Sequence, residues 1–558
     1  MSDTKPSRIV RVVPLITLIL TMLYACSSVP HVRFVDVTER AGIGFRYTFG
    51  DSTYENILES SGSGVTVFDY DADGDLDLYL LNGTYLEGIS DPQGRVFSST
   101  ANELYRNNGD GTFTEVAAEA GIDDRNWSMA AGALDFDGDG DIDLYLLNYG
   151  PNVFYLNKGD GTFVDVTDSL GLRGPDSLNG YTKWSVGVAF WDYNGDSRVD
   201  LMVGNFLAFD PEYVSPATPE LMPHPSEYAG QASLLYRQET DGRFTDVTRE
   251  LGFFYPDSKC MGLTVFDYDD DGDLDLFQGN DHQMNFLFRN DGGGRFTEVA
   301  ASAGVAANDR GLPTGSMHGT PGDVDGDGLI DLLVTDLRYG ALYRSRGDGT
   351  FDDITERSGL ARVFNGKGQW GAALFDYDND GDLDIFAANG TAEELVLQYP
   401  LLLENDGTGR FRDVGPDLSG YFTTKRSGRA AAVWDYDNDG DLDIIVSHVD
   451  LIATPALLRN DGGNHNHWLG LTLVGNGGPA SAIGAKVTIE TATRVQVRVN
   501  QWATSYLSYS DPRMHFGLGE DELVERLEIR WPDGSVDIHE NVPAGAYLTI
   551  IQGEGADR

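Results

Sequence analysis

The stretch Asp69-Tyr70-Asp71-Ala72-Asp73-Gly74-Asp75-Leu76-Asp77 decides how this chain is read. It sets carboxylates at positions one, three, five and nine of a nine-residue loop, with glycine at position six. The theme returns six times, from Asp135, Asp192, Asp267, Asp323, Asp376 and Asp435, with first residues 53 to 75 positions apart. Repetition on that scale marks a solenoid, an array or a propeller.

Carboxylates at positions one, three and five alternate along a tight turn, so their oxygens converge. Position seven adds a backbone carbonyl and position nine closes the site. Oxygen-only donors in a flexible loop suit a hard cation, calcium before magnesium or zinc. Glycine at position six permits the positive φ that the reversal needs. The expected side-chain ligands are Asp69, Asp71, Asp73 and Asp77; Asp135, Asp137, Asp139 and Asp143; Asp192, Asn194, Asp196 and Asp200. The later loops supply Asp267, Asp269, Asp271 and Asp275; Asp323, Asp325, Asp327 and Asp331; Asp376, Asp378, Asp380 and Asp384; Asp435, Asp437, Asp439 and Asp443. Carbonyls come from Asp75, Asp141, Arg198, Asp273, Leu329, Asp382 and Asp441. Up to seven calcium ions are therefore expected. The third loop departs from the pattern, with Ser197 at position six and Asn194 at position three.

These loops are not EF-hands, which close with Glu at position twelve between helices. Position twelve here is Leu80, Leu146, Val203, Gln278, Val334, Ala387 or Val446. The flanks, Val65-Thr-Val-Phe68 before and Leu76-Asp-Leu-Tyr-Leu-Leu81 after, read as strands. A second pattern recurs at Phe34-Val-Asp-Val37, Phe113, Phe163, Phe244, Phe296, Phe351 and Phe411. Strands such as Glu103-Leu-Tyr-Arg-Asn107 and turns such as Asn108-Gly-Asp-Gly-Thr112 precede it. One repeat is thus four antiparallel strands, a propeller blade. The two patterns are offset: Phe34 precedes the first loop, and no fourth strand follows Leu457-Leu-Arg-Asn460. The N-terminal strand is expected to complete the seventh blade, closing the ring and removing open sheet edges.

On these motifs, residues 31–463 resemble the FG-GAP/VCBS repeats of integrin-α-type propellers. The resemblance implies calcium in the loop between the first two strands of each blade. From residue 464 to 555 the segments Trp468-Leu-Gly-Leu-Thr-Leu473, Lys486-Val-Thr-Ile-Glu490 and Arg526-Leu-Glu-Ile-Arg-Trp531 read as strands, and Trp531-Pro-Asp-Gly534 as a hairpin turn. With Ile483-Gly-Ala485 and His515-Phe-Gly-Leu-Gly519 they look like the ASPIC/UnbV domain, which follows FG-GAP repeats in cartilage acidic protein-like chains. The fold class expected is all-β, a seven-bladed β-propeller followed by a small antiparallel β domain.

Net charge is −50 over 558 residues. Seven calcium ions would leave it strongly negative, which argues against nucleic acid as a partner. Two cysteines, Cys26 and Cys260, exclude a disulfide scaffold and a Cys-based zinc cluster. Residues 1–25 read as an export signal: Lys5, Arg8 and Arg11, then the apolar run Val12–Ala25, too short for a comfortable membrane span. Leu23-Tyr-Ala-Cys26 resembles the lipobox of bacterial lipoproteins, with Cys26 as the lipidated residue. An outer-membrane or cell-surface lipoprotein is expected, with simple secretion or a signal anchor as the alternatives.

The long connections, Asn82 to Asn102, Phe206 to Ala232 and Asn389 to Pro400, fall on the propeller face opposite the calcium loops. Long loops on a rigid scaffold commonly carry binding. Trp127, Lys183, Trp184, His318, Trp370, Arg426 and Arg429 are placed by the same topology toward that face, ringing the channel mouth. The reading that follows is a calcium-binding surface or secreted module, recognising carbohydrate or protein through this face. The alternative is a polysaccharide-active enzyme at the channel mouth, with His318 beside Arg426 or Lys183. No nucleophile triad is legible, and no cofactor other than calcium is expected.

If Cys26 carries the anchor, Cys26→Ser should leave the membrane fraction or remain unprocessed. Wild-type fractionation with an unchanged N-terminus refutes lipidation.

Overall fold

A computed structural model describes residues 32–94, 101–392, 394–450, 454–477, 482–554 and 556–557. The export segment and Cys26 lie outside the described residues.

The repeats fold as the four-strand arithmetic requires. The first blade runs Val65–Phe68, Asp77–Leu80, Glu103–Asn107 and Phe113–Glu115, each strand antiparallel to the next. Innermost strands of the following blades are Trp127–Leu134, Ser185–Trp191, Cys260–Phe266, Thr314–Gly322, Gln369–Phe375 and Gly428–Trp434. Each packs against its neighbours, and Gly428–Trp434 packs against Val65–Phe68. Among the described residues these are seven blades in a closed ring. Converging strands need small side chains: a Cβ on Gly371 would stand 2.5 Å from the Arg429 carbonyl oxygen.

Closure is by the N-terminal strand. Arg33–Asp36 pairs antiparallel with Ala456–Asp461, Phe34 opposite Asn460 and Asp36 opposite Leu458. The buried Phe34 ring lies 5.6 Å from Phe422 and 6.3 Å from Tyr377, inside the seventh-blade core. One-turn helices follow several fourth strands, such as Ala117–Ala120, which Gly121 ends at φ 82°. Their four-residue length left too little periodicity to read in the sequence.

The last part of the chain forms two four-stranded sheets around its own core, which includes Leu471, Phe516, Leu527 and Trp531. One correction applies: the sheet order is not wholly antiparallel, because His467–Val474 and Tyr547–Ile551 run parallel. These first and late strands meet at the centre of one sheet after the chain has crossed through the other, and that crossover returns the second strand in the same direction.

Between the two sheets the chain leaves this domain as a hairpin, Ala503–Ser505 and Ser508–Tyr509, which enters the propeller's central channel. Ser508–Tyr509 pairs parallel with Val65–Thr66. The hairpin also meets inward-facing groups of the other blades: Ala372 N–H donates to Ser505 Oγ (2.8 Å), Ala431 N–H to Ser508 Oγ (3.0 Å) and Val433 N–H to Ser510 Oγ (3.1 Å). Tyr509 donates to the Val188 carbonyl, Thr320 to that of Thr504 and Gln501 to that of Val265. Its tip reaches the far end, where Leu507 accepts from Val65 N–H and Tyr506 lies 5.1 Å from Trp370. Seven blades leave an axial void too wide for their own side chains, and inner-strand N–H groups there need partners. The hairpin supplies both volume and acceptors.

Deleting residues 31–40 should strip the seventh blade of its outer strand and cost several kcal/mol, a large fraction of the roughly 5–15 kcal/mol that holds a domain folded. Melting and light scattering check this. A monomer that melts like the full chain refutes the closure.

Candidate metal loops and the sealed channel

The acidic loops, except the third, where Asp200 keeps only the bond from Gln238 N–H, are built around their ninth residue. Asp77 is fully buried; its Oδ2 accepts from Tyr70 N–H (3.0 Å) and its Oδ1 from Asn107 N–H (2.8 Å) on the third strand. The same two bonds recur at Asp143, with Phe136 and Asn157, and at Asp275, with Tyr268 and Asn290. Asp331, Asp384 and Asp443 repeat them. The third-strand Asn then spends its amide on the preceding blade. Asn157 Nδ2 donates to the Tyr70 carbonyl, Asn405 to Val324, Asn460 to Tyr377, and Asn107 to Tyr436 across the ring closure. These asparagines were legible only as the end of Leu-Tyr-Arg-Asn; their repetition was the available signal.

Position one faces the turn. Asp69 Oδ2 accepts from Gly74 N–H, and Asp376 Oδ2 from Gly381 N–H. Position six takes positive φ, 93° at Gly74 and 64° at Ser197, where a side chain strains the same turn.

The structure brings carboxylate oxygens of Asp69, Asp71 and Asp77 within 4.8 Å of one another. It does the same for Asp135, Asp137 and Asp143; Asp267, Asp269 and Asp271; Asp323, Asp325 and Asp331; and Asp376, Asp378 and Asp384. Several of these oxygens are buried without a hydrogen-bond partner: Oδ1 of Asp69, Asp71, Asp269, Asp325 and Asp378. Four of the five sit at position three. Burial, reinforced by the neighbouring carboxylates, pushes Asp77 up to about 9, Asp143 to about 7 and Asp331 to about 8. Converging, unsatisfied carboxylate oxygens at positions one and three fit a hard divalent cation. Calcium bound there would supply charge neutralisation and fill the orphaned acceptors.

The third loop differs. The Arg198 guanidinium pairs with Asp196 and donates to the Gln238 carbonyl (3.0 Å), so a protein cation already neutralises position five. In the fifth loop Arg344 holds Asp325 (2.6 Å) and Asp327 (2.9 Å) from outside.

The channel-mouth expectation is corrected. Trp127, Lys183, Trp184, His318, Trp370 and Arg429 are all buried; of the seven only Arg426 is exposed. The hairpin tip and residues 44–63 cover this end of the channel, as their shared core with these tryptophans shows. Trp184 packs against Tyr149, Phe206 and Phe209. Trp370 donates to the Gly390 carbonyl (3.1 Å) and lies 4.1 Å beneath the Arg429 guanidinium. Arg429 donates to carbonyls of Ser60, Thr391 and Gly428 and to Ser427 Oγ, so its donors are spent inside the fold. Lys183 donates to the Arg173 carbonyl, and burial lowers its amine to about 7. His318 is lowered to about 4 by burial, with Thr264 Oγ1 3.4 Å from Nε2. His318 is buried beside Thr264 and Lys183 is committed to the Arg173 carbonyl, so among the described residues the general-base constellation with Arg426 or Lys183 does not form. Cys260 is buried, its thiol pushed up to about 12 by desolvation.

Comparison with known proteins agrees with this architecture. The chain matches the FG-GAP-like repeat family at residues 95–146, 135–203, 267–334 and 323–387, and the ASPIC and UnbV family at 475–557. It is similar to human cartilage acidic protein 1, 27% identical over 453 residues, covering 75% of this chain and 62% of that protein. The mouse protein is 28% identical over 432 residues, with 72% and 61% covered. The chain thus spans less than two thirds of these curated relatives. Among solved structures, an Agrocybe aegerita lectin described as recognising non-reducing terminal N-acetylglucosamine is 16% identical, with 72% of this chain and 90% of that one covered at a TM-score of 0.36. The V. cholerae biofilm matrix protein Bap1 is 11% identical, with 91% and 62% covered at 0.33. Superpositions that loose carry no argument.

Chelation should lower the melting temperature sharply, since calcium stabilises the folded state by about 2.7 kcal/mol per site at 100 times Kd. Calcium content should fall short at the third loop, and Ser197→Gly with Arg198→Ala should raise it. An unchanged melting curve in excess chelator excludes calcium as a structural ion.

Proposed function

We propose that this chain of FG-GAP-like repeats and an ASPIC and UnbV domain is an exported binding or adhesion module, with calcium in its acidic loops and its partner on the opposite, insertion-bearing face. One observation carries the choice of face. Among the described residues thirteen large apolar side chains are exposed, and eight of them, Tyr181, Val214, Leu221, Met284, Leu312, Val396, Leu397 and Tyr399, come from second-to-third loops or interblade crossings. The calcium-loop face is occupied by the C-terminal domain. Exposed apolar groups gathered on one face mark an interaction surface.

Most of these side chains are aliphatic, which favours a surface protein over a carbohydrate as the partner. Lys425 over the Tyr399 ring and the exposed Arg426 add cations at the edge of the surface. Localisation at the cell surface or outer membrane rests on the Cys26 motif, with secretion as the alternative. The channel-mouth enzyme reading has no observation in its favour and is set aside.

Screening surface proteins and glycans with the calcium-loaded chain identifies the partner. Val396→Asp with Leu397→Asp should then weaken binding tenfold or more, about 1.4 kcal/mol or above, without loss of calcium or melting temperature. Ile538→Asp, an exposed position on the C-terminal domain, should bind as wild type. The reverse pattern places the partner on the other domain.

A further inference from the structure

The C-terminal domain does not touch the acidic loops at random. Position four of every loop lies in the left-handed region: Ala72, Gly138, Gly195, Asp270, Gly326, Asn379 and Asn438. Only three of these side chains carry a polar atom, and the C-terminal domain grips all three. Lys486 Nζ (3.1 Å) and Arg530 Nη1 (3.3 Å) bind Asp270 Oδ1. His515 Nε2 lies 2.6 Å from Asn379 Oδ1, and Arg513 Nη1 donates to Asn438 Oδ1 (2.7 Å). Neighbouring loop atoms are held as well: Arg513 donates to the Asp435 carbonyl (3.0 Å), Gly519 N–H to that of Asn379 (2.9 Å), and Arg494 to Asp382 (3.1 Å).

A side-chain-bearing residue with positive φ is strained, at 60° for Asp270, 56° for Asn379 and 55° for Asn438. It stays there because the loop over-determines it. Asp267, Asp376 and Asp435 accept from position-five and position-six N–H groups, and their own charges face the other carboxylates. Removing a cation from such a loop sets the carboxylates against one another and frees the turn. The three position-four side chains then lose the geometry in which the C-terminal domain meets them. That domain carries the hairpin that fills the channel.

We propose that calcium keeps the channel closed: the position-four side chains Asp270, Asn379 and Asn438 form a docking code that holds the C-terminal domain on the propeller only in the cation-bound form. Loss of calcium releases the domain and withdraws residues 502–511 from the axis, exposing the inner-strand N–H groups of Ala372, Ala431 and Val433. The inference rests on the calcium reading above, with position four acting as a docking position and not as a ligand.

The test is hydrogen exchange at residues 502–511 in the full chain, with calcium content measured on the same samples. Wild type in calcium should protect these amides, and chelation should speed their exchange at least tenfold. Asp270→Gly, Asn379→Gly and Asn438→Gly together copy the glycine of the second, third and fifth loops. Asn379 and Asn438 also donate to the Gly440 carbonyl and to Asp75 Oδ1 within the propeller, so the decisive variant is Lys486→Ala with Arg530→Ala, which leaves every loop side chain in place. It should keep its calcium and its propeller melting transition, yet exchange at 502–511 at least tenfold faster even at saturating calcium. Protection equal to wild type in this variant overturns the docking code. Protection that survives measured loss of calcium overturns the coupling. Absence of calcium from the wild type instead sinks the metal reading itself.

Discussion

The ninth-position aspartate is the group on which the propeller depends. Its two oxygens fix the start of its own loop and the third strand of its own blade, and the asparagine on that strand reaches the preceding blade. Asp77 with Asn107 carries this chain across the seam to Tyr436 of the last blade, and Asp443 with Asn460 ties that blade to the sixth at Tyr377. Burial makes these carboxylates costly to ionise, and their two backbone N–H bonds offset only part of that cost. The orphaned oxygens of Asp71, Asp269, Asp325 and Asp378 show where a cation would offset that cost. Acidic loop and blade-to-blade stitch are therefore one network.

The second constraint is the axial void. A ring of seven blades must be filled or flooded, and inner-strand amides pointing to the axis need acceptors. Ser505, Ser508 and Ser510 provide them from another domain, while Tyr506 and Leu507 join the core beneath residues 44–63. The tryptophans and arginine that face the axis are consumed in sealing it. This moves the free surface outward, onto the long loops.

The two faces thus diverge in role. One is acidic and gripped by Lys486, Arg494, Arg513 and Arg530. The other keeps Val214, Leu221, Val396 and Leu397 in solvent. An exposed aliphatic group costs little singly, but gathered on one face such groups define where association would remove the most apolar area from water.

Most of the propeller was legible in the sequence because its determinants are local and repeated. Carboxylate spacing set the loops, alternation set the strands, and the offset between loop and Phe-x-Asp-Val patterns set the closure, which Phe34 and Asn460 realise. What lay beyond local pattern was decided by tertiary structure. Ala503–Tyr509 belongs to no repeat or motif of the sequence, yet it occupies the axis, because only the closed ring creates a void of its shape. Trp184, Trp370 and Arg429 look available for a ligand by position. Trp370 and Arg429 are buried by distant groups, the Tyr506 ring and the Ser60 carbonyl, and Trp184 by Tyr149, Phe206 and Phe209. Spacing along the chain fixes which side a residue faces; what covers that side depends on parts of the chain hundreds of residues away.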